Sequence, residues 1–371
     1  MRTHLIPRLR STGFLFLLLS LGLASALARP LDEEETSPAQ RKTVAADGEK
    51  LPAALKLDLA LEQRKLRKYD ETLKLLAEAQ SLDPPPALAA EILFRVGETH
   101  FRRGLNAGEG KLPGTTAEAC FDTAIKTFGA LVERYPKEAI TPEAVYFSGS
   151  AYLVLGDFEK ALERYQRAFD GYPTHQNRGR SLLRVGVCQA GIDQVDKAKV
   201  TFTRYLREFP GTLDETNKVR KYLYEMEMVG KPAPPIQSKE WIFGQVNETG
   251  LQMFEGEVVV LVFLASGCPN CSKELPHLRS LIDQWSPQGV VFLGLTDPQD
   301  PRSTEPIGVY VKKHEVPILD VALDTGSRTS RSYRVTGLPA AAIIDRRGIV
   351  RWRGHISFFS GAITEKALQG R

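Results

Sequence analysis

At 371 residues, with 42% hydrophobic and 25% charged side chains, the chain has ordinary globular composition and the length of two or three domains. Its 49 Lys and Arg against 45 Asp and Glu give a formal charge of +4. Three of those positives sit in the first 28 residues, so the rest carries about +1, and no nucleic-acid partner is expected. Four cysteines in so long a chain exclude a disulfide scaffold.

Arg2, Arg8 and Arg10 precede the uncharged run Phe14 to Leu23, and Ala26-Leu27-Ala28 supplies small residues for a signal peptidase. The run is shorter than the ~20 residues a spanning helix needs. Residues 1–28 are therefore expected to be a signal peptide cleaved after Ala28, which sends the protein to the periplasm or cell envelope. Residues 29–50 are polar and aperiodic and read as a disordered tether.

Helical periodicity begins near Leu51, and residues 51–227 read as a helical repeat domain. Ala124, Ala161 and Ala198 keep one spacing. So do Phe128, Tyr165 and Phe202, then Leu131, Ala168 and Tyr205, and then Pro136, Pro173 and Pro210, each proline preceded by an aromatic residue. Each unit is predicted to be a helical hairpin closed by an aromatic-proline stop. Gly149, Tyr152, Ala161, Tyr165 and Pro173 carry the spacing of a tetratricopeptide repeat, and residues 142–212 resemble the tetratricopeptide arrays of bacterial envelope proteins. The pattern weakens upstream, where 108–116 looks like an inserted loop and Tyr69, Leu73 and Pro84 belong to a degenerate first unit. Such arrays stack into a solenoid whose concave face takes a peptide or protein, or serve as a spacer. Cys120 and Cys188 sit on helix-like stretches and read as small buried hydrophobes, with a structural bridge as the alternative.

Gly230-Lys231-Pro232-Ala233-Pro234-Pro235 ends the helical pattern, and residues 228–371 read as a second domain. Strands are predicted at 257–264, 290–295, 343–345 and 349–353, with helices from the cysteine pair to about Trp285 and over 307–314. Strands alternating with helices imply an α/β domain around a central sheet. Within it, Cys268-Pro269-Asn270-Cys271 stands where a buried strand passes into a helix. A sulfur at a helix N-terminus faces unpaired backbone N–H groups that favour the thiolate, the attacking species in disulfide exchange.

Residues 230–355 resemble the thioredoxin fold, in particular the extracytoplasmic thiol-disulfide proteins of the TlpA/ResA type. The matching pieces are the GKPAPP stretch, Gly256-Glu257, CPNC followed by Glu274 and Pro276, Tyr333-x-Val335-x-Gly337-Leu338-Pro339, and Ile344-Asp345-Arg346-x-Gly348. The resemblance implies a cis Leu338-Pro339 bond against the cysteine pair, Cys268 as the exposed nucleophile, and Cys271 as the buried resolving thiol. It also implies Glu274 as the acceptor of the resolving thiol's proton; the residues alone equally allow a solvated first-turn acid. Two positions depart from the family: Gly267 replaces the usual Trp, and Val262 leaves no buried acid six residues before Cys268.

Other chemistries fit less well. His277 and His355 do not have zinc-module spacing around the cysteines, so no metal and no cofactor is expected. Ala265 stands where a peroxiredoxin-type peroxidase would carry Thr. Alternation in the last strand puts Val350 and Trp352 on one face and Arg351 and Arg353 on the other, as in a half-buried strand, with His355 capping its end.

The sequence therefore predicts an exported thiol-disulfide oxidoreductase: a tetratricopeptide α-solenoid followed by an α/β thioredoxin-like domain. Cys268, Cys271, Glu274 and Pro339 are its site residues, and protein thiols or disulfides its substrates. The resemblance implies a reductase or isomerase recharged by a membrane thiol donor, and the relative stability of thiolate and disulfide sets the direction. The solenoid would recruit protein clients or partners. The alternative is a non-catalytic envelope scaffold whose redoxin domain has lost turnover.

Overall fold

The computed structural model describes residues 52–108, 115–209, 213–238, 240–246, 250–359 and 361–370. The expected signal peptide and tether, and most of the expected inserted loop, lie outside the described residues. No described helix is long and apolar enough to cross a membrane.

The first part is helical. Four hairpins follow one another: α1 (Pro52–Lys65) with α2 (Tyr69–Gln80), α3 (Pro86–Gly108) with α4 (Ala117–Arg134), α5 (Thr141–Val154) with α6 (Phe158–Gly171), and α7 (Arg178–Gly191) with α8 (Val195–Glu208); α9 (Leu213–Met226) closes the stack. The repeated alanines and aromatics fall on α4, α6 and α8 and are fully buried. A small residue faces each aromatic. A Cβ on Gly97 would meet the Phe128 ring at 2.6 Å, on Gly149 the Tyr165 ring at 3.1 Å, and on Gly186 the Phe202 ring at 2.6 Å. The period thus records one contact made three times: a helix backbone laid on an aromatic face. Tyr135, Tyr172 and Phe209 leave their helices at φ between −130° and −132°. Each precedes a proline, whose ring disfavours helical geometry in the residue before it.

The second part is a five-stranded sheet in the order β3-β2-β1-β4-β5, formed by β1 (Val258–Phe263), β2 (Val290–Thr296), β3 (Asp320–Leu323), β4 (Ala340–Ile344) and β5 (Val350–Gly354). β1 runs parallel to β2 and β2 to β3; β4 is antiparallel to both β1 and β5. The helices are α10 (Pro269–Trp285), α11 (Ile307–Lys313), α12 (Arg328–Ser332) and α13 (Gly361–Leu368). All six β1 residues are buried, as expected of a strand covered on both faces. β4 starts at Ala340 rather than 343, because three small alanines already pair with Phe263, Val262 and Leu261 of β1. The sequence reading missed β3, which has only four residues. Asp320 anchors it by accepting from the N–H groups of Phe243, Gln245 and Val246.

The two parts are packed together. Gly230 N–H donates to Val350 O at 2.8 Å and Ala233 N–H to Gly348 O at 2.8 Å, so the proline-rich stretch lies along the start of β5. The Phe358 ring packs against three apolar clusters, two of them in the helical stack. Arg353 corrects the alternation reading of β5: it is 4% exposed, not on a solvated face. Its Nε donates to Tyr333 O at 2.9 Å and its Nη1 to Gly354 O at 3.0 Å, while Nη2 lies 3.7 Å from Glu225 on α9. The other face of β5 is covered by the solenoid, which strand periodicity alone does not reveal.

Candidate active site

β1 delivers the chain to Ala265-Ser266-Gly267, and Cys268 is the N-cap of α10. Pro269 follows at the first helical position, where its missing N–H costs no hydrogen bond. The Cys271 N–H donates to Cys268 Sγ at 3.3 Å, one of the orphan donors of the helix start turned on the sulfur. Across the site, Leu338-Pro339 is cis, and the Leu338 carbonyl oxygen lies 3.9 Å from Cys268 Sγ. Both thiols are free, and Cys120 and Cys188 are free and buried in the helical stack.

Cys268 is 4% exposed, not an exposed nucleophile. The cause is the segment after β2. Gly267 N–H donates to Arg302 O at 2.6 Å, Ser266 Oγ donates to Glu305 O at 2.7 Å, and Glu305 N–H donates back to Ser266 Oγ at 3.0 Å. A Cβ on Gly267 would lie 2.5 Å from Thr304 Cγ2 and 2.6 Å from Arg302 O. Glycine therefore stands where the TlpA/ResA type has Trp because residues 302–304 fill that space. Putting Trp there should not restore a missing docking surface. Gly267→Trp is expected to cost roughly 1–3 kcal/mol through overpacking. It should also speed modification of Cys268 by a thiol reagent, because the segment is driven off the sulfur; urea midpoints and labelling rates check both.

Sequence reasoning missed Arg302. Its Nε and Nη2 donate to Asp300 at 2.8 and 2.6 Å, which holds the guanidinium, and its charge acts on both cysteines. Burial, then the neighbouring Cys268 sulfur, push the Cys271 thiol well above the ordinary thiol range, while Arg302 opposes them. The resolving thiol thus keeps its proton until something takes it. The signal was present in Asp297-Pro298-Gln299-Asp300-Pro301-Arg302, whose Asp-Pro steps mark a turn.

Glu274, one helical turn after Cys271, is 3% exposed, which removes the solvated-acid reading. Its Oε1 accepts from Ser357 Oγ at 2.7 Å, and Ser357 Oγ is 2.8 Å from His355 Nδ1. His355 does not cap β5 itself; it N-caps the short 3-10 turn Ile356–Phe358, accepting from Ser357 N–H. Pro339 lies beside Cys268 through the Leu338 carbonyl, so Cys268, Cys271 and Pro339 share one end of the sheet and Glu274 lies one turn deeper. Among the described residues no group of three His, Cys, Asp or Glu is placed to hold a metal.

His277 is also buried, and its Nε2 faces Ile356 O at 3.2 Å. Burial pushes its pKa from 6.5 down to about 3. The folded state keeps this imidazole neutral while the unfolded chain protonates it below about pH 6.5. Stability should therefore fall as pH drops from 6.5 toward 3, by about 2 kcal/mol at pH 5. His277→Gln should lose less between pH 7 and pH 5 than the parent chain, as read from urea midpoints at both pH values.

The solenoid reaches the site directly. Thr336 Oγ1, three residues before Pro339, donates to Glu225 of α9 at 2.8 Å. Arg334 donates to Tyr224 O at 3.2 Å and pairs with Glu227. A CxxC at a helix start, opposite a proline loop, in a sheet of this topology and behind tetratricopeptide hairpins defines a thioredoxin-like thiol-disulfide oxidoreductase with a repeat domain.

Comparison with known proteins narrows that class. Residues 229–353 match the model of the AhpC/TSA family, and 121–175 and 180–212 match tetratricopeptide repeat models. The chain is 29% identical over 147 residues to thiol-disulfide oxidoreductase ResA of Bacillus cereus (strain ZK / E33L), covering 39% of this chain and 78% of that protein. It is 31% identical over 123 residues to ResA of Bacillus thuringiensis subsp. konkukian (strain 97-27), covering 33% and 66%. The thioredoxin domain of a thiol-disulfide oxidoreductase from Bacteroides vulgatus aligns with a TM-score of 0.31 at 20% identity, over 38% of this chain and 96% of that one. The C-terminal part is a redoxin domain with ResA-like relatives.

Proposed function

We propose that the chain is an exported thiol-disulfide oxidoreductase whose solenoid presents protein clients to the Cys268-Cys271 dithiol. The observation that carries this is Cys268 Sγ at the start of α10, receiving the Cys271 N–H and facing the Leu338 carbonyl. Cys268 attacks a client disulfide and forms a mixed disulfide, releasing one client thiolate. Cys271 gives its proton to Glu274, attacks the Cys268 sulfur and releases the second client thiolate, leaving the pair oxidised. A thiol donor at the membrane returns two electrons. Export is supported by the N-terminal sequence pattern and by likeness to ResA. Recruitment is supported by the Thr336–Glu225 bond, which sets the last solenoid helix beside the loop that borders the sulfur.

Insulin reduction with dithiothreitol tests the reading. The parent chain should precipitate insulin B chain much faster than Cys268→Ser; equal rates leave the scaffold reading in its place.

A further inference from the structure

A hydrogen-bonded chain runs from Glu274, one helical turn after Cys271, toward the solenoid. Glu274 sits inside the redoxin core, and its partner Ser357 and then His355 belong to the turn after β5. His355 lines a cavity of about 50 Å³ between β5 and the solenoid, together with Phe158, Gly191, Tyr222, Glu225 and Phe358. That is room for a water molecule.

The geometry points to Ser357 and His355 as positioning residues of a proton relay that carries the Cys271 proton from Glu274 to the cavity between the two domains. The proposal rests on Glu274 being the acceptor. The one Ser357 hydroxyl proton serves two acceptors in turn, Glu274 when that group is ionised and His355 Nδ1 when Glu274 is protonated. Ser357 N–H donates to His355 Nδ1 at 3.3 Å, so the neutral ring carries its proton on Nε2 and Nδ1 is an acceptor. At rest the Ser357 hydroxyl donates to the Glu274 carboxylate.

When Cys271 ionises to attack the Cys268 sulfur, its proton goes to Glu274. The protonated carboxyl then donates to Ser357 Oγ, while the Ser357 hydroxyl proton passes to Nδ1. One proton has moved: Glu274 is again a carboxylate, Ser357 is again a hydroxyl, and His355 is an imidazolium that releases a proton to water. No electron moves along this path; the electron pair stays with the sulfurs. In the reverse reaction the same path runs inward.

The charges facing His355 make it a conduit and not a store. Lys221 of α9 and Arg353 of β5 lie on the ring's electrostatic surroundings, Glu225 stands on Arg353, and His277 of α10 is a further neighbour. Burial, then Lys221 and Arg353, push the His355 pKa down to about 4. An imidazolium there is short-lived at neutral pH, so the relay resets after each turnover. Because Lys221 and Glu225 are solenoid residues, the repeat domain sets the field at the exit.

The test uses the full chain with a preformed mixed disulfide between Cys268 and a client peptide, following peptide release by stopped flow between pH 5 and 9. Ser357→Ala and His355→Ala should each slow release about 10- to 100-fold at pH 7, within the range of one proton-transfer step, and both should gain a steeper rise with pH as hydroxide takes over. Added imidazole should restore His355→Ala but not Ser357→Ala, and Ser357→Thr, which keeps the hydroxyl, should stay within about threefold of the parent. Glu274→Gln distinguishes the layers of the argument. If it is slow while Ser357→Ala and His355→Ala release at the parent rate, the relay is wrong and the acceptor stands. Parent-rate release by Glu274→Gln overturns both. Should Ser357→Ala fail to fold, His355→Ala with and without imidazole decides the matter alone.

Discussion

Cys271→Ser is expected to accumulate a covalent adduct with client proteins through Cys268, while insulin reduction falls by about three orders of magnitude or more. The asymmetry follows from the positions of the two sulfurs. In the proposed exchange Cys268, which caps α10, takes the Cys271 N–H and faces the Leu338 carbonyl, is the sulfur that attacks the client. Cys271 is deeper, and burial holds its thiol above the usual range, so it acts only once Cys268 is joined to the client. With serine at 271 the first exchange still occurs and the second has no nucleophile. Cys268→Ser should be equally inactive but should trap nothing. Non-reducing electrophoresis and mass spectrometry of the adduct read the difference, and an adduct forming equally through Cys271 in Cys268→Ser would reverse the assignment.

Glu225→Ala should cost about 3 kcal/mol and slow exchange together. Glu225 is 4% exposed and serves three partners: the Arg353 guanidinium at 3.7 Å, the Thr336 hydroxyl at 2.8 Å and the Lys221 ammonium at 3.9 Å. Removing it leaves a buried guanidinium with carbonyl partners but no counter-charge, and loosens the loop that carries Leu338, which Arg334 still ties to Tyr224 and Glu227. Thr336→Val keeps the volume and removes only the loop bond. It should cost about 1 kcal/mol, the net worth of one hydrogen bond. If Thr336→Val lowers the insulin rate as much as Glu225→Ala does, the loop bond carries the kinetic effect; denaturant midpoints report the separate loss from Arg353.

Much of this was legible in the sequence because it is periodic or local. The spacing of Ala124, Ala161 and Ala198 is a packing requirement repeated along the chain, and CPNC followed by Glu274 and Pro276 is a strand-to-helix junction written in consecutive residues. What escaped depends on distant segments meeting. Burial of Cys268 needs residues 302–304 to cross over Gly267. Burial of Arg353 needs α9 to lie on β5. Ser357 is an ordinary serine until the turn after β5 sets it against a carboxylate 83 positions earlier in the chain. β3 is short, and its Asp320 has meaning only through the backbone it holds from 243 to 246.

The Phe358 ring, shared among three apolar clusters, has a mechanical consequence. A joint made of one glycine and several prolines would let the repeats swing freely, but this ring is a pin through it. The repeats cannot turn on the sheet without unpacking this ring, which ties their orientation to the redoxin core.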